Sequence, residues 1–88
     1  MTERTVQVVN PLGLHARPAA QLVRLASGYQ ANVELERDGM VVNGKSIMGV
    51  MMLAAECGSS LVIRADGGDE SAAVDAIAAL VGRGFDET

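Results

Sequence analysis

Aromatic side chains are almost absent from this sequence, which has one tyrosine, one phenylalanine and no tryptophan. So few rings, far apart in the chain, offer no platform on which nucleobases could stack. Cations are outnumbered too, seven Lys and Arg against eleven Asp and Glu, for a net charge of −4. Phosphate backbones are gripped by clustered Lys and Arg, so no nucleic-acid partner is expected. Cysteine occurs once, at position 57, which rules out an internal disulfide. Histidine also occurs once, and one His with one Cys cannot complete a tetrahedral set without scattered carboxylates, so no metal is expected. No apolar run reaches the roughly 18–20 residues of a membrane span. The longest, Ile47 to Ala55, is interrupted by Gly49, and the first residues lack the apolar core of a signal peptide. The expectation is a soluble, cytoplasmic chain with no membrane insertion.

What is present is 49% apolar residues in a chain of 88. That length suits a single domain, residues 1–88, burying about 60–65% of its unfolded surface. Its core must be assembled from Val, Leu, Ile, Met and Ala. Thr5 to Val9 alternates like a half-buried strand, with Val6 and Val8 on one face, and Asn10-Pro11 ends it. Ala19, Leu22, Val23 and Ala26 then form the stripe of a helix from Ala16 to about Ser27, with Gly28 placed to stop it. Ala31, Val33 and Leu35 alternate with polar residues in a second strand. Asp38-Gly39 reads as a hairpin turn into a third, Met40 to Val42. Ser46 is placed to cap a short helix over Ile47 to Leu53, and Leu61 to Ala65 forms a fourth strand. Asp69 is placed to cap a last helix, striped by Val74, Ile77, Ala78 and Val81 and ended by Gly82 or Gly84. The order β-α-β-β-α-β-α, with polar alternation in the second strand, predicts an α+β fold. Its sheet should be antiparallel, with helices on one side and solvent on the other.

Three stretches carry possible chemistry. In Gly13-Leu14-His15-Ala16-Arg17-Pro18-Ala19-Ala20 the lone imidazole meets the start of a helix. Backbone N–H groups there lack internal partners and the dipole is positive, so anions are attracted. Arg17 adds a permanent cation whose fork suits phosphate oxygens, and Pro18 stiffens the first turn, where a missing N–H breaks no helical bond. A nucleophile facing an anion site describes a side chain that takes and gives up a phosphoryl group. The alternative readings are a merely packed or solvated histidine, and a Cys57–His15 hydrolase pair; Cys57 more simply packs as a small apolar residue.

Gly39 to Ser46 spells a phosphate-loop pattern letter for letter, and Leu61 to Asp66 resembles the acid-terminated strand that accompanies it. Met40-Val41-Val42 favours a strand over a loop, however, and the chain is too short for the parallel sheet such nucleotide hydrolases use, so that reading is rejected. Ile47, Met48, Met51 and Met52 crowd one short helix. Met51 or Met52 reads first as core filler, yet one short helix cannot bury all four, and an exposed apolar patch marks a docking surface. Ser46 at that helix start is by default a cap, but a phosphate added there would suit the dipole.

The motifs G-L-H-A-R-P-A at 13–19 and K-S-I-M-G-V-M at 45–51 resemble the active-site and regulatory motifs of the HPr family, the histidine-containing phosphocarriers of the bacterial phosphoenolpyruvate-dependent phosphotransferase system. The resemblance covers essentially the whole chain. It implies an open-faced β-sandwich, a four-stranded antiparallel sheet covered on one face by three helices. His15 would accept phosphate on Nδ1 from Enzyme I and pass it to enzyme IIA domains, as a stoichiometric carrier without cofactor. Arg17 and the amides of Ala16 and Arg17 would support the phosphate. Ser46 resembles the site of the ATP-dependent HPr kinase/phosphorylase. Ala20, Arg24, Ile47, Met48 and Met51 match the family's docking face, and a monomer is expected. Leu12 and Ser27 depart from a small polar residue and a lysine frequent among sugar-transport members, which keeps a nitrogen-system paralogue or a regulatory binding module as the alternative.

Overall fold

A computed structural model of the chain describes residues 1–86. The elements run β1 (Thr2–Gln7), α1 (Ala16–Ser27), β2 (Asn32–Arg37), β3 (Met40–Asn43), α2 (Ile47–Met52), β4 (Ser60–Asp66) and α3 (Glu70–Gly82), then a short 3₁₀ turn, Gly84–Asp86. The strands form one antiparallel sheet in the order β1-β4-β2-β3. The three helices cover one side of it, as the open-faced sandwich requires.

Register explains which side is which. Val33 pairs with Ala65, Leu35 with Ile63, and Leu61 with Val6, so the apolar members of three strands share the covered face. Leu35, Leu61 and Ile63 are fully buried there beneath Leu22, Val74, Ile77 and Val81 of the helices. The opposite face pairs Glu3 with Arg64 across β1–β4 and Glu36 with Val62 across β2–β4. Arg64 sits between two carboxylates on that face, 2.7 Å from Glu3 and 2.6 Å from Glu36. The β2–β3 hairpin turns on Asp38 (φ 50°) and Gly39 (φ 86°), and positive φ at both central residues matches the twist of the strands it joins.

The first strand begins and ends earlier than its pattern suggested. Val8 is buried but lies past the ladder, bonding to the turn before β4 instead, and Val9 is exposed. Thr2 and Arg4 extend the strand at its other end. Both are polar yet point to the covered side, where they meet α3: Thr2 Oγ1 donates to Glu70 (2.6 Å) and Arg4 pairs with Asp75 (2.7 Å). Polar partners on a helix hid the alternation there.

Asp69 also departs from expectation. It occupies the N-cap of α3, but its side chain makes no capping bond to that helix. Its carboxylate instead accepts the Gln30 and Ala31 N–H groups, both at 2.9 Å, and so ties the start of α3 to the start of β2. Those two donors hold its carboxyl below the usual carboxylate range. Gly28 does end α1, but in a right-handed conformation (φ −77°) rather than a left-handed one. Phe85, in the unanticipated C-terminal turn, is buried against the core with φ 57°. No helix among the described residues is long and apolar enough to cross a membrane.

Candidate functional site

The loop between β1 and α1 is built residue by residue to deliver His15. The backbone carbonyl of Asn10 accepts the Gly13 N–H (3.1 Å), closing a tight turn over Pro11 and Leu12. Gly13 takes φ +67°, and a Cβ on it would stand 2.3 Å from the Ala55 carbonyl oxygen, so only glycine fits. That oxygen accepts the Leu14 N–H (2.9 Å), and the Leu14 side chain is buried. The loop is thereby pinned to the segment after α2. The Gly13 carbonyl in turn takes the His15 N–H at 3.0 Å.

His15 is the N-cap of α1, extended (φ −78°, ψ −171°) and half-buried, and its imidazole does not cap the helix. The helical ladder starts with the Ala19 N–H on the His15 carbonyl (3.0 Å). Ala16 and Arg17 precede that bond, so their amides lie outside the i→i−4 ladder, and Pro18 brings no N–H. The first turn carries no acidic residue to neutralise the dipole. Arg17 is exposed in that turn, and Arg24 is exposed two turns along the same helix. A local positive strip thus runs along α1 in a chain that is acidic as a whole. Between the two arginines, Ala20 is half-buried.

The second motif packs beside the first, α2 lying against α1. Ser46 is the N-cap of α2 and its Oγ accepts the Gly49 N–H at 3.1 Å, as expected. Val50 is the residue this helix sends into the core, followed by Leu53 at its C-cap. Met51 and Met52 are therefore not filler. They are 43% and 64% exposed, beside Ile47 at 44% and Met48 at 74%, and all four form one apolar surface. Lys45 Nζ donates to the Tyr29 carbonyl (2.7 Å), joining the start of α2 to the end of α1. The stretch with the phosphate-loop spelling is a hairpin turn, strand β3 and a cap, with its lysine committed to Tyr29.

Cys57 is exposed rather than packed, its Sγ 3.6 Å from the Val9 carbonyl. Asn10 is the residue that reading the sequence missed. It is 2% exposed, and its Nδ2 donates to the Gly13 carbonyl at 2.7 Å. An Asn before Pro with Gly three residues on is a turn signal that could have pointed to it. Among the described residues, no group of three or more His, Cys, Asp or Glu is placed to hold a metal ion. A groove of about 640 Å³ runs between α1 and α3, walled by Gln21, Arg24, Leu25, Tyr29, Leu80 and Arg83, and His15 is not in its wall. The imidazole is half-buried and lies outside that groove.

Comparison with known proteins agrees with this geometry. Residues 2–83 match the family model described as "PTS HPr component phosphorylation site". The chain belongs to the HPr family. The phosphocarrier protein HPr of Cupriavidus necator is 47% identical over 87 residues, which is 99% of this chain and 98% of that one. The crystal structure of an HPr from Thermoanaerobacter tengcongensis superposes with a TM-score of 0.96 at 41% identity, covering 100% of this chain and 99% of that one. A second structure from that organism, an HPr dimer, gives a TM-score of 0.79 at the same identity, covering 99% of this chain and 100% of that one. HPr proteins are phosphocarriers of the phosphotransferase system, and the four-stranded sheet with three helices is their fold.

Proposed function

We propose that this chain, acting as a single-domain cytoplasmic monomer, carries phosphoryl groups on His15 from Enzyme I to enzyme IIA domains. The observation that carries the reading is the placement of His15 at the N-cap of α1, beside the Ala16 and Arg17 amides and an exposed guanidinium, with no acidic residue in the first turn. Neutral imidazole Nδ1 attacks the phosphorus of the donor phosphohistidine. A new N–P bond forms on His15 as the donor's N–P bond breaks and its imidazole leaves. Charge on the equatorial oxygens is met by Arg17 and the helix end. Bonds of one kind are made and broken, so transfer stays reversible, and the carrier needs no cofactor of its own.

Docking falls to Ala20 and Arg24 of α1 and to Ile47, Met48 and Met51 of α2, an apolar patch with cationic neighbours. Ser46 is the regulatory site for an HPr kinase/phosphorylase. Its phosphate would sit at the start of α2, where the dipole tolerates it, and would put charge beside the apolar patch.

Incubation with Enzyme I and phosphoenolpyruvate should place acid-labile phosphate on His15, and a His15→Ala protein that labels equally well ends the reading. Arg17→Ala should slow transfer by about 10²–10³-fold, the scale of a lost charge-stabilising donor. Leu12, 75% exposed in the loop, leaves a second reading open, the nitrogen-regulatory branch with different acceptors. Acceptance of phosphate by a nitrogen-system IIA domain in preference to a sugar-specific one would select it.

A further inference from the structure

Among the described residues, backbone hydrogen bonds hold the loop before His15, and a buried side chain joins them, Asn10 Nδ2 donating to the Gly13 carbonyl at 2.7 Å. The same carbonyl oxygen accepts the His15 N–H at 3.0 Å. One acceptor thus receives both the buried amide and the backbone of the reacting residue, fixing the orientation of the peptide that leads into His15. The far side of that peptide is fixed as well, because the Leu14 N–H is held by Ala55 and Gly13 has no room to move toward it. Asn10 restrains the near side from a part of the chain outside the helix. Asn10 itself is 2% exposed, enclosed by the fold around the loop.

We infer that Asn10 is a positioning residue for phosphoryl transfer, its buried amide clamping the Gly13 carbonyl so that the His15 imidazole is presented in line with an incoming phosphorus. The inference rests on His15 being the phosphoryl acceptor. In-line transfer is steep in geometry, and a shift of about 1 Å in the reacting group costs on the order of 10²-fold in rate. Asn10 does not touch the phosphate; it acts through the Gly13 carbonyl and the His15 backbone. Docking is unaffected in this scheme, because Asn10 is buried and contributes nothing to the surface a partner meets.

Two substitutions separate positioning from packing. Asn10→Leu keeps a buried side chain of similar length and shape but has no donor, whereas Asn10→Ala removes both. Val74→Ala, in the core of α3 and distant in sequence from the loop, supplies a destabilised protein with the clamp intact. Phosphorylation by Enzyme I and phosphoenolpyruvate is followed at saturating and limiting carrier, and exchange of the His15 amide proton is followed by NMR without any phosphoryl donor. The expected result is a kcat lowered about tenfold or more in both Asn10 variants with KM unchanged, faster exchange of the His15 amide, and a normal kcat in Val74→Ala. Full kcat in Asn10→Leu would reduce Asn10 to a core filler and overturn the inference, as would an effect confined to KM or an equal loss of kcat in Val74→Ala. If the unsubstituted protein takes no phosphate on His15, the carrier reading itself has failed; the amide exchange then still reports whether Asn10 orders the loop.

Discussion

Replacing Gly13 by alanine tests whether the loop before α1 is a locked structure or merely a short connection. The native φ of +67° places an alanine in the left-handed region, which costs about 1–2 kcal/mol. Its Cβ would lie 2.3 Å from the Ala55 carbonyl oxygen, so the two segments must separate by about 1 Å to reach ordinary van der Waals contact. That oxygen is also the acceptor of the Leu14 N–H at 2.9 Å, and the separation breaks the bond, for a further loss of about 0.5–1.5 kcal/mol. Together these predict a destabilisation of about 1.5–3.5 kcal/mol, which in a domain this small lowers Tm by roughly 6–28 °C. Gly39→Ala is the natural control, having a positive φ of 86° but nothing within 4 Å of the added methyl. It should show the conformational cost alone. Thermal and urea unfolding followed by circular dichroism measure both. A Gly13→Ala protein no less stable than Gly39→Ala would refute the claim that Ala55 and Gly13 are in enforced contact, and with it the rigidity attributed to the site.

Acid should unfold the protein partly through Glu70, whose carboxyl is lowered to about 2 by the Thr2 hydroxyl first and then by the Met1 ammonium group and the Gly67 N–H. A carboxyl depressed on folding stabilises fully above its unfolded value, near 4.5, and loses that contribution as the pH falls towards 2. Asp69 is lowered too and acts in the same direction. Glu70→Gln should therefore flatten the fall of Tm across that window, and an unaltered slope would refute the assignment. Ser46→Ala removes the acceptor of the Gly49 N–H and should cost about 0.5–2 kcal/mol, read by urea denaturation and by faster exchange of the Gly49 amide. Met48→Lys, at a side chain 74% exposed, should change stability by no more than about 0.5 kcal/mol yet raise KM for Enzyme I; a lowered Tm with normal KM would mean the side chain supports the fold rather than docking.

The two motifs were legible because each is local. His15, Ala16, Arg17 and Pro18 are consecutive, and a helix start gives them a common neighbourhood whatever the rest of the chain does. The same holds for Ser46 and Gly49, three residues apart in one helical turn. Strand periods were readable wherever one face meets helices and the other meets water, as in Val33 and Leu35 of β2. The pattern failed in β1, an edge strand whose inward Thr2 and Arg4 are satisfied by acids on α3, sixty-eight and more residues away. Asp69 failed for the same reason, since its acceptors serve Gln30 and Ala31 across the fold and leave its own helix uncapped. Met51 and Met52 were misjudged from a different cause. Helical spacing says which residues share a face but not which face turns inward, and Val50 and Leu53 took that role.

These failures have a common physical source that bears on how the site works. A helix start can be written into a short peptide, but an isolated peptide would not hold His15 still. The loop that leads into it is held by Ala55 after α2 and by Asn10 after β1, two segments that only the folded chain assembles. On the proposed carrier function, the reacting groups lie in a contiguous octapeptide while distant parts of the chain hold the loop that leads into it. Substitutions in the second group should accordingly impair transfer while leaving every reacting group in place, a pattern that reading the motif alone would not anticipate.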